Sequence, residues 1–240
     1  MSDCRVWVLP GMGADSRIFK SFKFPWNATY LEWIEPLQDE SLSTYADRLL
    51  DRYPIQENDL LFGYSFGGVV AQDWASRNKV QRVVLLNSLH HEAQLRPLYR
   101  NLAVTGVLNW APEGSIIRMI KFIARLNSQP SRTLDLVLET MEQFDCQYYR
   151  WVIQAVLKWK RPTPLAPVDT ILGELDPVFT LQKPSKDRIW ILEGVGHEIQ
   201  PNKHHLHDLR PSVPPSNHPS CCSTLQFLLY EESESDTQYT

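Results

Sequence analysis

The 240-residue sequence carries no basic block, no apolar run of membrane-spanning length, no cysteine framework and no internal repeat. Each absence removes a class of function. Lysine and arginine number 24 against 28 aspartates and glutamates, a formal net charge of -4, so nothing tracks a phosphate backbone and no nucleic-acid partner is expected. No stretch approaches the roughly 20 apolar residues of a membrane-spanning helix. The segment Met1 to Pro10 lacks a basic stretch followed by a long apolar one and does not read as a signal peptide. Of the four cysteines, Cys4 and Cys146 lie in regular patterns and Cys221 and Cys222 are adjacent, which makes no disulfide framework. The expected location is therefore cytoplasmic, where the acceptor sequence Asn27-Ala28-Thr29 is silent. His204-His205-Leu206-His207 has no cysteine or carboxylate partner at ligand spacing, so no metal is expected there.

What is present is the composition of one globular α/β domain with an insertion: 43% hydrophobic residues and 22% charged. Its organising stretch runs from Asp59 to Asn78. A short apolar run, Leu60-Leu61-Phe62, leads into Gly63-Tyr64-Ser65-Phe66-Gly67, and a helical pattern follows with Val70, Ala71, Trp74 and Ala75 on one face. A G-x-S-x-G between strand and helix is a nucleophile elbow, a sharp turn that lifts a serine hydroxyl clear of the sheet. Gly63 and Gly67 stand where strand and helix cross with little room for a Cβ. A chance match of five common residues is the plain alternative, and the strand before and helix after weigh against it.

In chain order, Arg5 to Leu9 is a β-rich run ending at Pro10-Gly11-Met12-Gly13, and Asp15 or Ser16 is placed to cap a short helix through Phe19. Ala28 to Ile34 is expected to be a second strand. Ser41 to Tyr53 reads as a helix, capped by Ser41, with Leu42, Tyr45, Ala46, Leu49 and Leu50 on one face and Pro54 as its stop. Val80 to Leu86 is expected to be a strand buried on both faces. This alternation predicts an α/β fold with a doubly wound, mostly parallel sheet. From about His90 to Lys160 the periodicity is helical only, in segments Leu98 to Trp110, Ser115 to Leu126, Ser131 to Phe144 and Gln147 to Trp159. Such a block, inserted between strands, is expected to cap the carboxyl edge of the sheet, where open sheets bind ligands. Its large apolar residues (Trp110, Ile116, Ile120, Phe122, Ile123, Trp151, Val152, Trp159) are expected mainly to pack the cap, leaving a few for a lipophilic pocket. Val168 to Gly173 and Arg188 to Leu192 return to the sheet. Beyond Ile199 come five prolines between Pro201 and Pro219 and an acidic, serine-rich end, and this tail is expected to be mostly disordered.

Acyl transfer by serine needs a base, a carboxylate to orient it and backbone N–H groups for the oxyanion. His197 alone among the histidines follows a strand pattern in a glycine-flanked loop; His90 and His91 open the helical block and the others lie in the tail. Asp176 follows the preceding strand pattern. Asp169 and Glu174 are its alternatives, and a plain turn before Pro177 is its bland reading. The order Ser65, Asp176, His197 is that of a serine elbow on an α/β sheet. The N–H groups of Phe66, next after the serine, and Met12, after the first strand, are the expected oxyanion hole.

Leu9-Pro10-Gly11-Met12-Gly13-Ala14-Asp15, Gly63 to Gly68, Gly173-Glu174-Leu175-Asp176 and Gly194-Val195-Gly196-His197 together resemble the α/β-hydrolase superfamily, in particular its small capped serine hydrolases. The resemblance covers residues 3 to about 199, and Tyr149 to Lys160 looks like the last cap helix of such proteins. It implies the α/β-hydrolase fold, Ser65, Asp176 and His197 as the triad, and no cofactor or metal. The division expected is a core of residues 3–89 and 162–199, a helical cap of residues 90–161 and an atypical tail of residues 200–240. Three departures stand out. Pro10-Gly11 replaces the His-Gly of many relatives, Leu172-Gly173 replaces a histidine before the acid loop, and Pro201 with the polar tail replaces a long amphipathic helix. The last is expected to leave the His197 loop without its usual brace.

The expected activity is that of a serine hydrolase cleaving a small, largely apolar ester, thioester or related acyl bond through an acyl-enzyme. The alternative is a non-catalytic ligand-binding or interaction protein on the same scaffold. Fold and triad do not by themselves choose a substrate.

Overall fold

The computed structural model describes residues 5–19, 28–97, 99, 101, 110, 112–127, 132–180, 188–192 and 196–197. Short apolar strands form its frame. β1 (Val6–Leu9) is buried along its length, and β3 (Leu60–Tyr64) and β4 (Arg82–Leu86) nearly so. With β2 (Ala28–Tyr30), β5 (Val168–Gly173) and β6 (Arg188–Leu192) they make one six-stranded sheet in the order β2-β1-β3-β4-β5-β6, every neighbouring pair parallel. Alternation sends Trp7, Leu9, Leu61, Val83 and Leu85 to one face and Val6, Val8, Leu60, Phe62, Val84 and Leu86 to the other. The strand order reverses between β1 and β3, so the loops that leave their carboxyl ends part to opposite sides and open a crevice there.

Two helices lie under the first face. In α1 (Leu42–Leu50) the Ser41 hydroxyl accepts from the Thr44 N–H at 3.1 Å, and Tyr45, Ala46, Leu49 and Leu50 are fully buried against α2 (Phe66–Ala75). Among the described residues, three further helices, α3 (Glu113–Asn127), α4 (Arg132–Thr140) and α5 (Cys146–Lys158), lie between β4 and β5. The Asp145 carboxylate caps α5 by accepting from the N–H groups of Gln147 and Tyr148 at 2.8 and 2.9 Å. α5 packs on both α2 and α3, which brings the insertion over the crevice.

Several element ends fall short of the sequence reading, for local reasons. The helix expected to reach Tyr53 stops at Leu50, because the Tyr53 N–H turns back to the Leu50 carbonyl at 3.0 Å in the tight turn that Pro54 imposes. β2 ends at Tyr30 instead of Ile34. Past Leu31, whose N–H still reaches the Val8 carbonyl at 2.8 Å, Trp33 leaves the sheet to bury its ring against Tyr45 and Phe66. The helix expected from Ser131 to Phe144 is α4 followed by a single 3₁₀ turn, Met141–Gln143. The tail of residues 200–240, including the histidine cluster, and most of the helix expected over residues 98–110 lie outside the described residues. No helix among the described residues is long and apolar enough to cross a membrane.

At the opposite end of β3 from the elbow, the buried Asp59 carboxylate ties the sheet's first two central strands together. It accepts from Arg5 Nη2 at 2.7 Å, from Trp7 Nε1 at 2.9 Å and from the Gln56 N–H at 2.9 Å. Burial alone would raise its pKa, but the bonds from Arg5, Trp7 and Gln56 outweigh that cost and hold it below the usual carboxylate range. A depressed folded pKa means the stabilisation is complete above about pH 4 and is lost as the pH falls through the folded value. Asp59→Asn is expected to lower stability by about 2 to 3 kcal/mol at neutral pH and to flatten the acid limb of the stability profile. Chemical denaturation from pH 2 to 7 checks this; equal stability of the variant at neutral pH contradicts it.

Candidate active site

The segment Gly63 to Gly67 makes a tight turn between β3 and α2. Ser65 sits at φ 51° and ψ -118°, a strained backbone for a residue with a Cβ, at the join of β3 and α2. A Cβ on Gly67 would strike the carbonyl oxygens of Leu9 and Pro10, and one on Gly63 would meet the backbone of Gly68. The turn is held on every side. The Ser65 N–H donates to the Leu86 carbonyl at 3.0 Å, and the Ser65 carbonyl accepts from the Gly68 N–H at 3.1 Å and the Ser88 hydroxyl at 2.6 Å.

Ser65 Oγ lies 3.1 Å from His197 Nε2, and His197 Nδ1 lies 2.8 Å from Asp176 Oδ2. A carboxylate only accepts, so Nδ1 carries a proton, and in the neutral imidazole Nε2 faces the serine as an acceptor. Asp176 is buried, and its other oxygen accepts from the N–H groups of Val178 and Phe179 at 2.7 and 3.0 Å. Arg96 donates to the Asp176 carbonyl at 3.0 Å. The two alternatives for the acid stand elsewhere. Asp169 is buried within β5, paired with Arg82 at 2.8 Å, and Glu174 is exposed. His90 is buried against the Thr170 hydroxyl at 3.1 Å, and the His91 ring caps a 3₁₀ turn.

Met12 and Phe66 line the same cavity as Ser65 and His197. Among the described residues, neither the Met12 N–H nor the Phe66 N–H has an acceptor. Phe66 opens α2, so its N–H also stands at the positive end of that helix. An oxyanion site requires backbone donors of this kind.

The cavity is about 260 Å³ and lies between the sheet edge and the insertion. Met119, Ile120 and Ala124 of α3 and Val152, Ile153, Val156 and Leu157 of α5 form its walls, and among the described residues no Asp, Glu, Lys or Arg lines it. Of the large insertion residues singled out in sequence, Ile120 and Val152 face the cavity, Ile116 and Trp159 are buried, and Trp110 and Phe122 are exposed. Among the described residues no group of three metal-ligating side chains comes together.

The sequence reading missed what holds the histidine. The Asn87 amide, fully buried, donates to the Gly196 and His197 carbonyls at 2.9 and 2.7 Å and accepts from the Gly173 N–H at 2.7 Å. One side chain thus joins the ends of β4 and β5 to the histidine segment. The Tyr64 hydroxyl donates to the same His197 carbonyl at 3.0 Å, and the rings of Tyr64 and Phe179 pack on the imidazole at centroid distances of 5.8 and 5.4 Å. The signal was a polar residue directly after the apolar run Val83 to Leu86, at the carboxyl end of a parallel strand.

A serine elbow at the switch point of an all-parallel sheet defines the α/β-hydrolase architecture. The chain belongs to the alpha/beta hydrolase family, which its sequence matches over residues 2–211. Comparison with curated proteins finds no match. Among solved structures it is similar to an esterase from Exiguobacterium antarcticum, at 14% identity over 82% of this chain and 85% of that one, with a TM-score of 0.60. It is similar also to a hydrolase from Oleispira antarctica (12%, 82% and 85%, TM-score 0.58) and to MenH from S. aureus (15%, 82% and 87%, TM-score 0.55). At these identities the likeness is one of fold.

Asn87 has a φ of 41°, which glycine adopts without strain, so Asn87→Gly removes the amide without penalising the backbone. The variant is expected to lose about 2 to 3 kcal/mol of stability. It is also expected to broaden or lose the low-field proton resonance of the His197 Nδ1–H that Asp176 protects. Proton NMR with denaturant titration checks both, and an unchanged resonance at wild-type stability contradicts the role.

Proposed function

We propose that the chain is a serine hydrolase that cleaves a small, largely apolar carboxylic ester, thioester or related acyl bond through an acyl-enzyme. The observation that carries this reading is the unbroken line from Ser65 Oγ through His197 to Asp176, at 3.1 and 2.8 Å, opening on an apolar cavity. Membership of a hydrolase family supports it.

His197 Nε2 takes the Ser65 proton as Oγ attacks the acyl carbon, and Asp176 stabilises the imidazolium that results. The negative charge that develops on the acyl oxygen falls between the Met12 and Phe66 N–H groups. Collapse expels the alcohol or thiol, which takes the proton from His197. Water then enters, gives its proton to His197 and attacks the acyl-enzyme, and a second collapse returns the proton to Ser65 and frees the acid. No metal or cofactor has a part in these steps. The apolar walls that α3 and α5 supply favour an uncharged, largely apolar acyl group, because burying an ionised one against them is costly.

Ser65→Ala is expected to reduce turnover of p-nitrophenyl esters by about 10⁴-fold or more while leaving thermal unfolding unchanged. The wild-type pH–rate profile is expected to rise through one limb as the imidazole loses its proton, and His197→Gln to remove that limb. Steady-state kinetics of the three proteins decides: turnover surviving in Ser65→Ala rejects the nucleophile, and a limb surviving in His197→Gln rejects the base.

A further inference from the structure

The Met12 N–H lies in a loop, and a loop donor stabilises an oxyanion only if its direction is fixed before the charge develops. Its peptide unit also contains the Gly11 carbonyl. In a planar trans peptide the C=O and N–H point in opposite directions, so whatever holds the Gly11 oxygen aims the Met12 N–H. Two groups hold it: the Trp33 indole Nε1–H donates at 2.9 Å, in a buried bond, and the Ala14 N–H donates at 3.1 Å.

The indole has a second contact with the same machinery. Its ring packs on that of Phe66 at a centroid distance of 5.2 Å, tilted by 38°, so the residue bearing the other donor rests on the same side chain. Trp33 is itself only 9% exposed and backed by Tyr45, whose hydroxyl donates to the Ile34 carbonyl at 2.8 Å and ties down the segment that carries the indole. Two donors on the Gly11 carbonyl also polarise the peptide and strengthen its N–H as a donor.

We infer that Trp33 is a positioning residue of the oxyanion hole, aiming the Met12 N–H through the Gly11 carbonyl and fixing the place of Phe66 through its ring. The inference rests on the serine-hydrolase reading above. Trp33 touches neither substrate nor serine; it acts through the peptide that does. A side chain that served only to fill the core would be replaced by phenylalanine with a loss of stability and no selective effect on the transition state.

The test is Trp33→Phe, measured by p-nitrophenyl ester kinetics beside the wild type and Ser65→Ala. Expected are a fall in kcat of about 10- to 100-fold, below the full loss of one oxyanion donor, and a KM within about twofold of the wild type. Affinity for a trifluoromethyl ketone, which places an oxyanion in the hole, is expected to fall by the same factor as kcat/KM. If Trp33→Phe does not fold, site-specific replacement of the indole by benzothiophene keeps the ring's size and removes only the donor. An unchanged kcat, or a raised KM with kcat intact, overturns the inference while Ser65-dependent turnover still stands. Wild-type turnover that survives Ser65→Ala overturns the serine reading and the inference with it.

Discussion

Ser65 occupies a backbone conformation that its own side chain disfavours, with φ at 51°, and the surrounding edge of the sheet is arranged to keep it there. Bonds from Gly68 and Ser88 to the serine carbonyl and from the serine N–H to Leu86 close the turn from both sides. Glycines at 63 and 67 let α2 cross β3 and β1 at a distance no Cβ would allow. The strain has a chemical consequence. A relaxed strand-to-helix turn would lay the hydroxyl along the backbone, whereas this one presents Oγ to the imidazole.

The rest of the site is held by side chains that bond to backbone rather than to one another. Asn87 reaches the Gly173, Gly196 and His197 peptides; Tyr64 reaches the His197 carbonyl; Trp33 reaches Gly11; Arg96 reaches Asp176. Each pins a loop at the carboxyl edge to a neighbouring element. For the proposed reaction a displacement of about 1 Å would be enough to cost orders of magnitude in rate, so these anchors would matter more to chemistry than to overall stability. The apolar walls supplied by α3 and α5 act in the same direction, since hydrogen bonds and partial charges count for more where water is excluded.

Much of this was legible in the sequence where a local pattern carries the information. Continuous apolar runs mark strands covered on both faces, Ser41 and Pro54 bracket a helix, and Gly63 to Gly67 between strand and helix marks the elbow. Ser65, Asp176 and His197 follow from chain order and from their places after strands. The partners of Asn87, Trp33 and Tyr64 were not legible, because each acts through a bond to a peptide between 22 and 133 residues away, and such bonds leave no periodicity; Asn87 was marked only by its place after an apolar run. Trp33 was expected to lie within the strand Ala28 to Ile34; in the fold it stands past the end of β2, and its indole donates to the Gly11 carbonyl. The stretch after the histidine segment, where a bracing helix was expected to be missing, lies outside the described residues; among the described residues, Asn87 and Tyr64 grip the His197 carbonyl.

The central claim is that Ser65 is an activated nucleophile, and activation can be read without knowing the substrate. A fluorophosphonate reacts with a serine hydroxyl only where a base takes its proton and an oxyanion site receives the developing charge. Treatment of the folded protein followed by proteolysis and mass spectrometry is predicted to find one adduct, on the peptide containing Ser65, absent when His197 is replaced by glutamine. No adduct on Ser65, or an adduct that survives loss of the histidine, would contradict the account.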